Sequence, residues 1–251
     1  MSHLTSTGRR RPGAPGGTGL GFGVPGYAHP LVAPVEWAEL TRPGIPLHWA
    51  VLDIDRGPGV LPDPHCLEAA GRLTNAGVRV LGHLDLRYGT RPFGELVSEA
   101  HRFVDWYKVA GFSLQRCPSG AAELPETRRL VTALRAVLDG AHVVSCHGGH
   151  PHRGYAHCAD QLVTFSGPWS EYRWSQVAEW TAEHPPERFC HLVHGVPRTH
   201  LEEAMRIARW QGAGTIYFTD HTDRGDGVAP WEALPGYWDD IVSRIGPGVS
   251  E

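Results

Sequence analysis

The fold is decided by two apolar runs and the segment that joins them. Residues 78–85 read VRVLGHLD and residues 109–115 read VAGFSLQ, and each run has the length of a buried β-strand. Residues 93–107 carry apolar side chains at intervals of three and four, which is typical of an amphipathic helix. The stretch therefore predicts a strand, a helix and a second strand, the repeating unit of parallel α/β folds.

The same alternation extends along the chain in both directions. We predict strands at 21–28, 47–54, 78–85, 109–115, 141–146, 161–166, 188–195 and 214–219. We predict helices over 63–75, 93–107, 126–138, 199–211 and 231–245. The fourth of these helices is expected to begin at a Thr199 cap, with Glu202 in the capping-box position.

Eight strand–helix units predict an α/β fold, a single (β/α)₈ barrel of the TIM type, which typically needs about 250 residues. The barrel is expected to occupy residues 21–251, after a disordered tail at 1–20 that is rich in Gly, Pro, Ser and Thr. An open doubly wound sheet is the rival fold. The dinucleotide-binding version of that open sheet is disfavoured, because no GxGxxG motif follows the first predicted strand.

Composition disfavours several classes of function. The formal net charge of −4 gives no attraction for nucleic acid or an anionic membrane surface. No stretch approaches the roughly 20 apolar residues of a membrane span, and the N-terminal residues lack the apolar core of a secretion signal. The five cysteines have no CxxC spacing and suit reduced thiols. We therefore expect a cytoplasmic protein that binds neither nucleic acid nor a membrane. The His, Asp and aromatic residues near the predicted strand ends favour a small-molecule or saccharide ligand. The oligomeric state stays open.

The active site of such a barrel lies at the C-terminal ends of its strands, which selects a short set of candidate residues. Asp85, Asp53 and His83 are the candidates for acid–base chemistry. Asp53 and Asp55 alternate on one strand, so only one can face the mouth; we favour Asp53, and we expect Asp55 to bind the following turn. The predicted ligand-binding side chains are Tyr27, His29, Tyr88, Gln115, Arg116, His147, Ser166, Trp169, His194 and Asp220.

Two further chemistries are weighed and disfavoured. The chain has 16 histidines, so closely spaced pairs arise by chance, and no HExxH or comparable ligand set occurs. We therefore predict neither a bound metal ion nor another cofactor. Cys146 beside His147 could form a nucleophile–base pair, but adjacent residues on a strand point to opposite faces, so a packed thiol is favoured.

Several segments resemble the spherulation-specific family 4 (spherulin 4-like) proteins. They are GVPGYAHP, DRGPG, GHLDLRYGTRP, DWYKVAGFSLQ, GPW and HPPERFCHLVHGVP, in order from about residue 21 to the end of the chain. The resemblance implies a (β/α)₈ barrel related to fungal hydrolases that cleave galactosamine-containing polysaccharide. It also implies acidic residues at the ends of strands four and six.

This sequence departs from the family pattern at those strand ends. Gln115 replaces the expected Asp of strand four, and Ser166 replaces the expected Glu of strand six. Glycoside hydrolysis usually needs two carboxyl groups, and neither an amide nor a hydroxyl transfers a proton near neutral pH. Other departures are Asp53 for Asn, His83 for Tyr, and Cys146-His147-Gly148 for Asn-Pro-Gly.

Two functions follow from this pattern. The first is a repurposed enzyme that acts on a small metabolite or sugar, with Asp85 or Asp53 as the acid–base group and His83 as its partner. Gln115 and Arg116 would then supply polar or anionic contacts. The alternative is a pseudo-glycosidase that binds a saccharide without turning it over.

Overall fold

The structure, a computed structural model, is a closed barrel of parallel strands and describes residues 19–223 and 229–245. The strands are β1 (Gly21–Val24), β2 (Leu47–Leu52), β3 (Arg79–Asp85), β4 (Gly111–Gln115), β5 (His142–Cys146), β6 (Gln161–Pro168), β7 (Phe189–His194) and β8 (Thr215–Phe218). They pair in chain order, and β8 returns to pair with β1. The predicted (β/α)₈ barrel is confirmed, and the open sheet is excluded.

The helices lie outside the barrel. They are α1 (Pro34–Glu39), α2 (Pro64–Asn75), α3 (Phe93–Arg102), α4 (Leu124–Val137), α5 (Trp169–Tyr172), α6 (Leu201–Trp210) and α7 (Trp238–Ile245). The two short helices, α1 and α5, were not predicted, because one or two turns give too little periodicity to detect. A π-helical turn at Phe103–Tyr107 extends α3 to the predicted end. No helix in the described ranges is long and apolar enough to cross a bilayer.

Two predicted helix starts are wrong. A 3₁₀ turn at Arg198–His200 precedes α6, so Thr199 lies inside that turn and His200, not Thr199, occupies the N-cap position. Helix α7 begins at Trp238 rather than at residue 231, because Pro235 and Gly236 interrupt the helix that the spacing suggested. The residues before Trp238 form a loop at the mouth of the barrel.

The predicted tail also needs a boundary correction. Leu20 is buried and packs in the core, immediately before β1. Residues 1–18 of the predicted disordered segment lie outside the described residues. Leu20 therefore packs with the barrel, one residue before the predicted boundary at residue 21.

A polar layer fills part of the barrel interior below the mouth. Trp49 Nε1 donates to Gln161 Oε1 at 2.7 Å, and Gln161 Nε2 donates to Thr215 Oγ1 at 2.7 Å. These side chains come from β2, β6 and β8, which matches the rule that one layer of a barrel draws on alternate strands. The barrel interior is therefore packed and hydrogen-bonded at this level.

Candidate active site

A cavity of about 490 Å³ lies at the C-terminal ends of the strands. This volume falls in the range of small-molecule sites, roughly 300–1,000 Å³. The loop after β1, the end of β2 and residues 229–232, which precede α7, form most of its wall. The lining residues are Pro25, Gly26, Tyr27, Ala28, His29, Asp53, Ile54, Asp55, Arg56, His83, Gln115, Ser166, Leu192, Ala229, Trp231 and Glu232.

Asp53 and His83 form a pair inside this cavity. Asp53 Oδ2 lies 3.4 Å from His83 Nδ1, and Asp53 Oδ1 accepts a hydrogen bond of 2.8 Å from Gly57 N. Burial raises the pKa of Asp53, and this effect outweighs the charge interaction with His83 and the hydrogen bond from Gly57 N, which lower it. A carboxyl with a raised pKa next to an imidazole can hold and transfer a proton.

The turn after β2 explains why Asp53 faces the cavity. Ile54 N donates to the Gly57 carbonyl oxygen at 3.0 Å, which closes a tight turn directly beyond the strand. Arg56 adopts a left-handed φ of 50° within it. Asp53 therefore caps this turn, whereas Asp55, for which that role was predicted, is exposed at the rim of the cavity.

Asp85 lies in a different environment from the one predicted. It is buried, and it is not among the described residues that line the cavity. Arg116 Nε donates to Asp85 Oδ1 at 2.8 Å, Arg116 Nη2 also bonds to Oδ2, and Arg87 N donates to Oδ1 at 3.0 Å. Burial alone would raise the pKa of Asp85, but these hydrogen bonds lower it. The geometry makes Asp85 a fixed anion that joins the ends of β3 and β4.

The positions where the family resemblance implies acids both reach the cavity. Gln115 lines it and donates through Nε2 to Ser113 Oγ at 2.9 Å. Ser166 lines it and is hydrogen-bonded to the Cys146 thiol. Both side chains can bind a ligand through hydrogen bonds, but neither supplies a carboxyl group.

Tyr27 and His29, from the loop after β1, also line the cavity as expected for ligand-binding side chains. The hydroxyl groups of Tyr27 and Tyr217 are hydrogen-bonded to each other at 3.2 Å. His29 Nδ1 accepts from Leu31 N at 3.2 Å, so its Nε2 carries the proton and donates to Asp63 Oδ2 at 3.1 Å. Both side chains are thus held in place before a ligand binds.

The remaining predicted ligand-binding residues are not among the described lining residues. His147 is buried, where Nδ1 bonds to Pro118 O at 2.8 Å and Nε2 to Ser145 Oγ at 3.1 Å. Burial therefore lowers the pKa of His147 to about 4. Tyr88 is exposed beside α3 and α4, and Arg116 is held by Asp85. Trp169 packs against His200, and His194 packs against Trp231. Asp220 accepts a hydrogen bond from Gly236 N.

Cys146 is a packed thiol rather than a nucleophile. Burial raises the pKa of its thiol, so the reactive thiolate is disfavoured. The His147 ring is bound to Pro118 and Ser145, as described above, and does not activate the sulfur.

One cluster has the residue types of a metal site. His29, Asp63 and Cys66 each offer one ligand atom, and these atoms lie within 4.8 Å of one another. However, Asp63 is the N-cap of α2, where Oδ1 accepts from His65 N at 2.8 Å and Cys66 N at 3.0 Å. Because the His29 proton points at Asp63, the hydrogen bonds of a helix cap explain the cluster.

One part of the cavity wall, formed by Trp231 and Glu232, differs from the prediction. Trp231 and Glu232 line the cavity, but their segment was assigned to a helix. Pro230 and Pro235, which flank this short segment, were the available signal, because proline is disfavoured within helices.

The fold and the cavity together define a closed (β/α)₈ barrel whose mouth carries a carboxyl–imidazole pair. Within that class, residues 22–245 match the model of spherulation-specific family 4, and the chain belongs to this family. Spherulin-4 of Physarum polycephalum is 23% identical over 233 residues, which cover 88% of this chain and 69% of that protein.

Solved structures support the same fold. Aspergillus clavatus Sph3 in complex with GalNAc superposes with a TM-score of 0.77 and 22% identity, over 90% of this chain and 97% of that chain. A β-D-glucuronidase from Dictyoglomus thermophilum superposes with a TM-score of 0.50 and 8% identity, over 90% of this chain and 50% of that chain. At these identities, the likeness establishes the barrel alone.

Proposed function

We propose that this protein is an enzyme that binds a saccharide or a related small molecule in the mouth cavity, with Asp53 as its acid–base group and His83 as the partner. The observation that carries the proposal is the 3.4 Å contact between Asp53 Oδ2 and His83 Nδ1 inside that cavity. Burial raises the pKa of Asp53, so this carboxyl keeps its proton to a higher pH than an exposed aspartate.

The composition of the cavity supports a saccharide as the ligand. The rings of Tyr27 and Trp231 offer apolar faces, and the side chains of Gln115 and Ser166 can hydrogen-bond to hydroxyl groups. Sph3, which shares the fold, was crystallised with GalNAc. The family resemblance likewise implies galactosamine-containing polysaccharide, which makes galactosamine-containing oligosaccharides the first ligands to test.

A non-catalytic saccharide-binding protein is the second candidate. The observation that favours it is the chemistry of Gln115 and Ser166, which line the cavity where the family resemblance implies carboxyl groups. Such a protein would bind sugars in the same cavity without breaking a bond.

One experiment separates these candidates. The wild type and Asp53→Asn are incubated with galactosamine-containing oligosaccharides, products are followed by mass spectrometry, and binding is followed by saturation-transfer difference NMR. Cleavage by the wild type, with binding but no cleavage by Asp53→Asn, supports the enzyme. Binding without cleavage by the wild type supports the binding protein. Absence of both contradicts a saccharide of this class and moves the search to small metabolites.

A further inference from the structure

We propose that Glu232 is a second catalytic carboxyl group, which acts on the same substrate as Asp53. The inference rests on the proposed function, because it supplies the partner that Asp53 would need to hydrolyse a glycosidic bond. Two carboxyl groups are the usual requirement of that reaction. In this chain they would come from the end of β2 and from the loop between β8 and α7, rather than from β4 and β6.

The placement of Glu232 carries the inference. Its half-buried side chain lines the cavity that Asp53 and His83 also line. Ala28 N donates to the Glu232 carbonyl oxygen at 3.1 Å, which fixes Glu232 against the loop that follows β1. Because β1 pairs directly with β2, the backbone of Glu232 lies against the loop that neighbours the end of β2, and both residues line the same cavity.

Residues 233–236, which follow Glu232, are held at several further points. Tyr217 OH donates to Ala233 O at 3.2 Å, His221 Nε2 bonds to Leu234 O at 2.9 Å, and Gly236 N donates to Asp220 Oδ1 at 2.9 Å. These anchors come from β8 and the residues that follow it. A carboxyl on so constrained a segment is positioned before substrate binds, as catalysis requires.

The electrostatic setting of Glu232 differs from that of Asp85. Asp85 is held by Arg116 as a fixed anion, whereas Glu232 forms no ion pair with any residue that the structure describes. Its Oε1 accepts a hydrogen bond of 3.1 Å from Ala229 N, within its own loop. A carboxylate that accepts one hydrogen bond from a backbone N–H keeps further lone pairs, with which it can take a proton from water.

The reaction balances with these two groups and water. Asp53 donates its proton to the glycosidic oxygen as the bond from that oxygen to the anomeric carbon breaks. Glu232 removes a proton from a water molecule, and the water oxygen forms the new bond to the anomeric carbon. The products are a free sugar and the released alcohol, and solvent then returns the proton from Glu232 to Asp53.

The test uses substrates that differ in their need for an acid. The probes are an oligosaccharide of galactosamine residues and a 2,4-dinitrophenyl N-acetylgalactosaminide, whose leaving group departs without protonation. Asp53→Asn is expected to lose about 100-fold in kcat/KM on the oligosaccharide but to retain activity on the dinitrophenyl glycoside. Glu232→Gln is expected to lose about 100-fold on both, because both need an activated water.

A matched control and a rescue keep the test specific. Glu179→Gln changes an exposed glutamate outside the cavity and is expected to leave both activities unchanged. Sodium azide is expected to restore part of the activity of Glu232→Ala on the dinitrophenyl glycoside, with a glycosyl azide as product. Glu232→Asp, which shortens the side chain, keeps the test available if the other variants fold poorly, and it is expected to lower kcat more than it changes KM.

The failure of this inference is distinguishable from failure of the proposed function. Wild-type activity on both probes, together with a Glu232→Gln variant that is equally active, would overturn the role of Glu232 and leave Asp53 in place. A wild type that binds the oligosaccharide but cleaves neither probe would overturn the enzymatic function itself, and the role of Glu232 with it.

Discussion

Arg116 holds the Asp85 carboxylate with two guanidinium nitrogens, with Nε 2.8 Å from Oδ1 and Nη2 bonded to Oδ2. Arg116 adopts a left-handed φ of 49° directly beyond β4, and this conformation accompanies the contact across to the end of β3. The pair links two adjacent strand ends below the loops of the mouth. Asp85 is therefore paired with a guanidinium, whereas Asp53 faces an imidazole, and the two carboxyl groups should respond differently to substitution.

Asp85→Asn is expected to destabilise the fold by about 1–3 kcal/mol, because it weakens charge-assisted hydrogen bonds to a buried carboxylate. The loss stays moderate because half of the Arg116 side chain is exposed to solvent. Urea denaturation of Asp85→Asn, Arg116→Gln and the double variant measures the coupling between the two side chains. Strictly additive losses of stability would show that the pair contributes nothing.

Asp53→Asn is expected to change the pH dependence of stability. Because the pKa of Asp53 is raised by burial, the folded protein holds this proton at pH values where the unfolded chain has released it. The Asp53 contribution to stability is therefore lost as pH rises from the ordinary aspartate pKa through the raised one. His83, Asp55 and Arg56 face the same carboxyl and shift this window. Thermal melts at several pH values should show that the melting temperature of Asp53→Asn increases relative to that of the wild type as pH rises. A difference in melting temperature that does not change with pH would contradict the raised pKa.

His147 is expected to make stability depend on pH in the opposite direction, so that its contribution rises with pH. Burial lowers the pKa of His147 to about 4 in the folded protein. Between about pH 6.5 and about pH 4, the unfolded chain therefore binds a proton at this residue and the folded protein does not. Stability should fall as pH drops from about 6.5 to about 4, by up to roughly 3 kcal/mol from this group. His147→Gln removes the titration, so its stability deficit relative to the wild type should shrink in acid. A deficit that grows in acid would rule out a neutral, buried His147.

Gly111→Ala is expected to destabilise the barrel by more than about 3 kcal/mol. A Cβ at this position of β4 would overlap the backbone carbonyl of His142 in the neighbouring strand, which cannot move without breaking the sheet. Gly71→Ala is the control, because nothing lies within 4 Å of a Cβ there and the residue is inside α2. This control should gain about 1 kcal/mol from helix propensity. Similar melting temperatures for the two variants would contradict the close strand contact.

The sequence was sufficient for the barrel because each strand is a compact apolar run bounded by turn residues. The sequence was also sufficient to select Asp53 and His83 as candidates, since both lie near the end of a predicted strand. Their contact depends on the register of β2 against β3, where Leu52 pairs with Gly82 and so brings the next residues together. Register is set by packing of the whole barrel and is not encoded in either strand alone.

Loop positions were less predictable for a physical reason. Tyr88 follows β3 closely in sequence, but it adopts a left-handed φ of 56° and lies beside α3 and α4, away from the mouth cavity. His147 also follows a strand end, yet its two ring nitrogens are both bound within the protein. Turn conformation and local hydrogen bonds decide where such side chains lie, and neither follows from the spacing of apolar residues.

The assignment of acid–base chemistry to Asp53 is tested most directly by comparing the wild type, Asp53→Asn and Asp85→Asn on one galactosamine-containing oligosaccharide. The measurement is kcat/KM per folded molecule, with the folded fraction taken from circular dichroism. We expect Asp53→Asn to lose about 100-fold and Asp85→Asn to stay within about threefold of the wild type. The reverse order, with Asp85→Asn folded but inactive and Asp53→Asn active, would contradict the assignment.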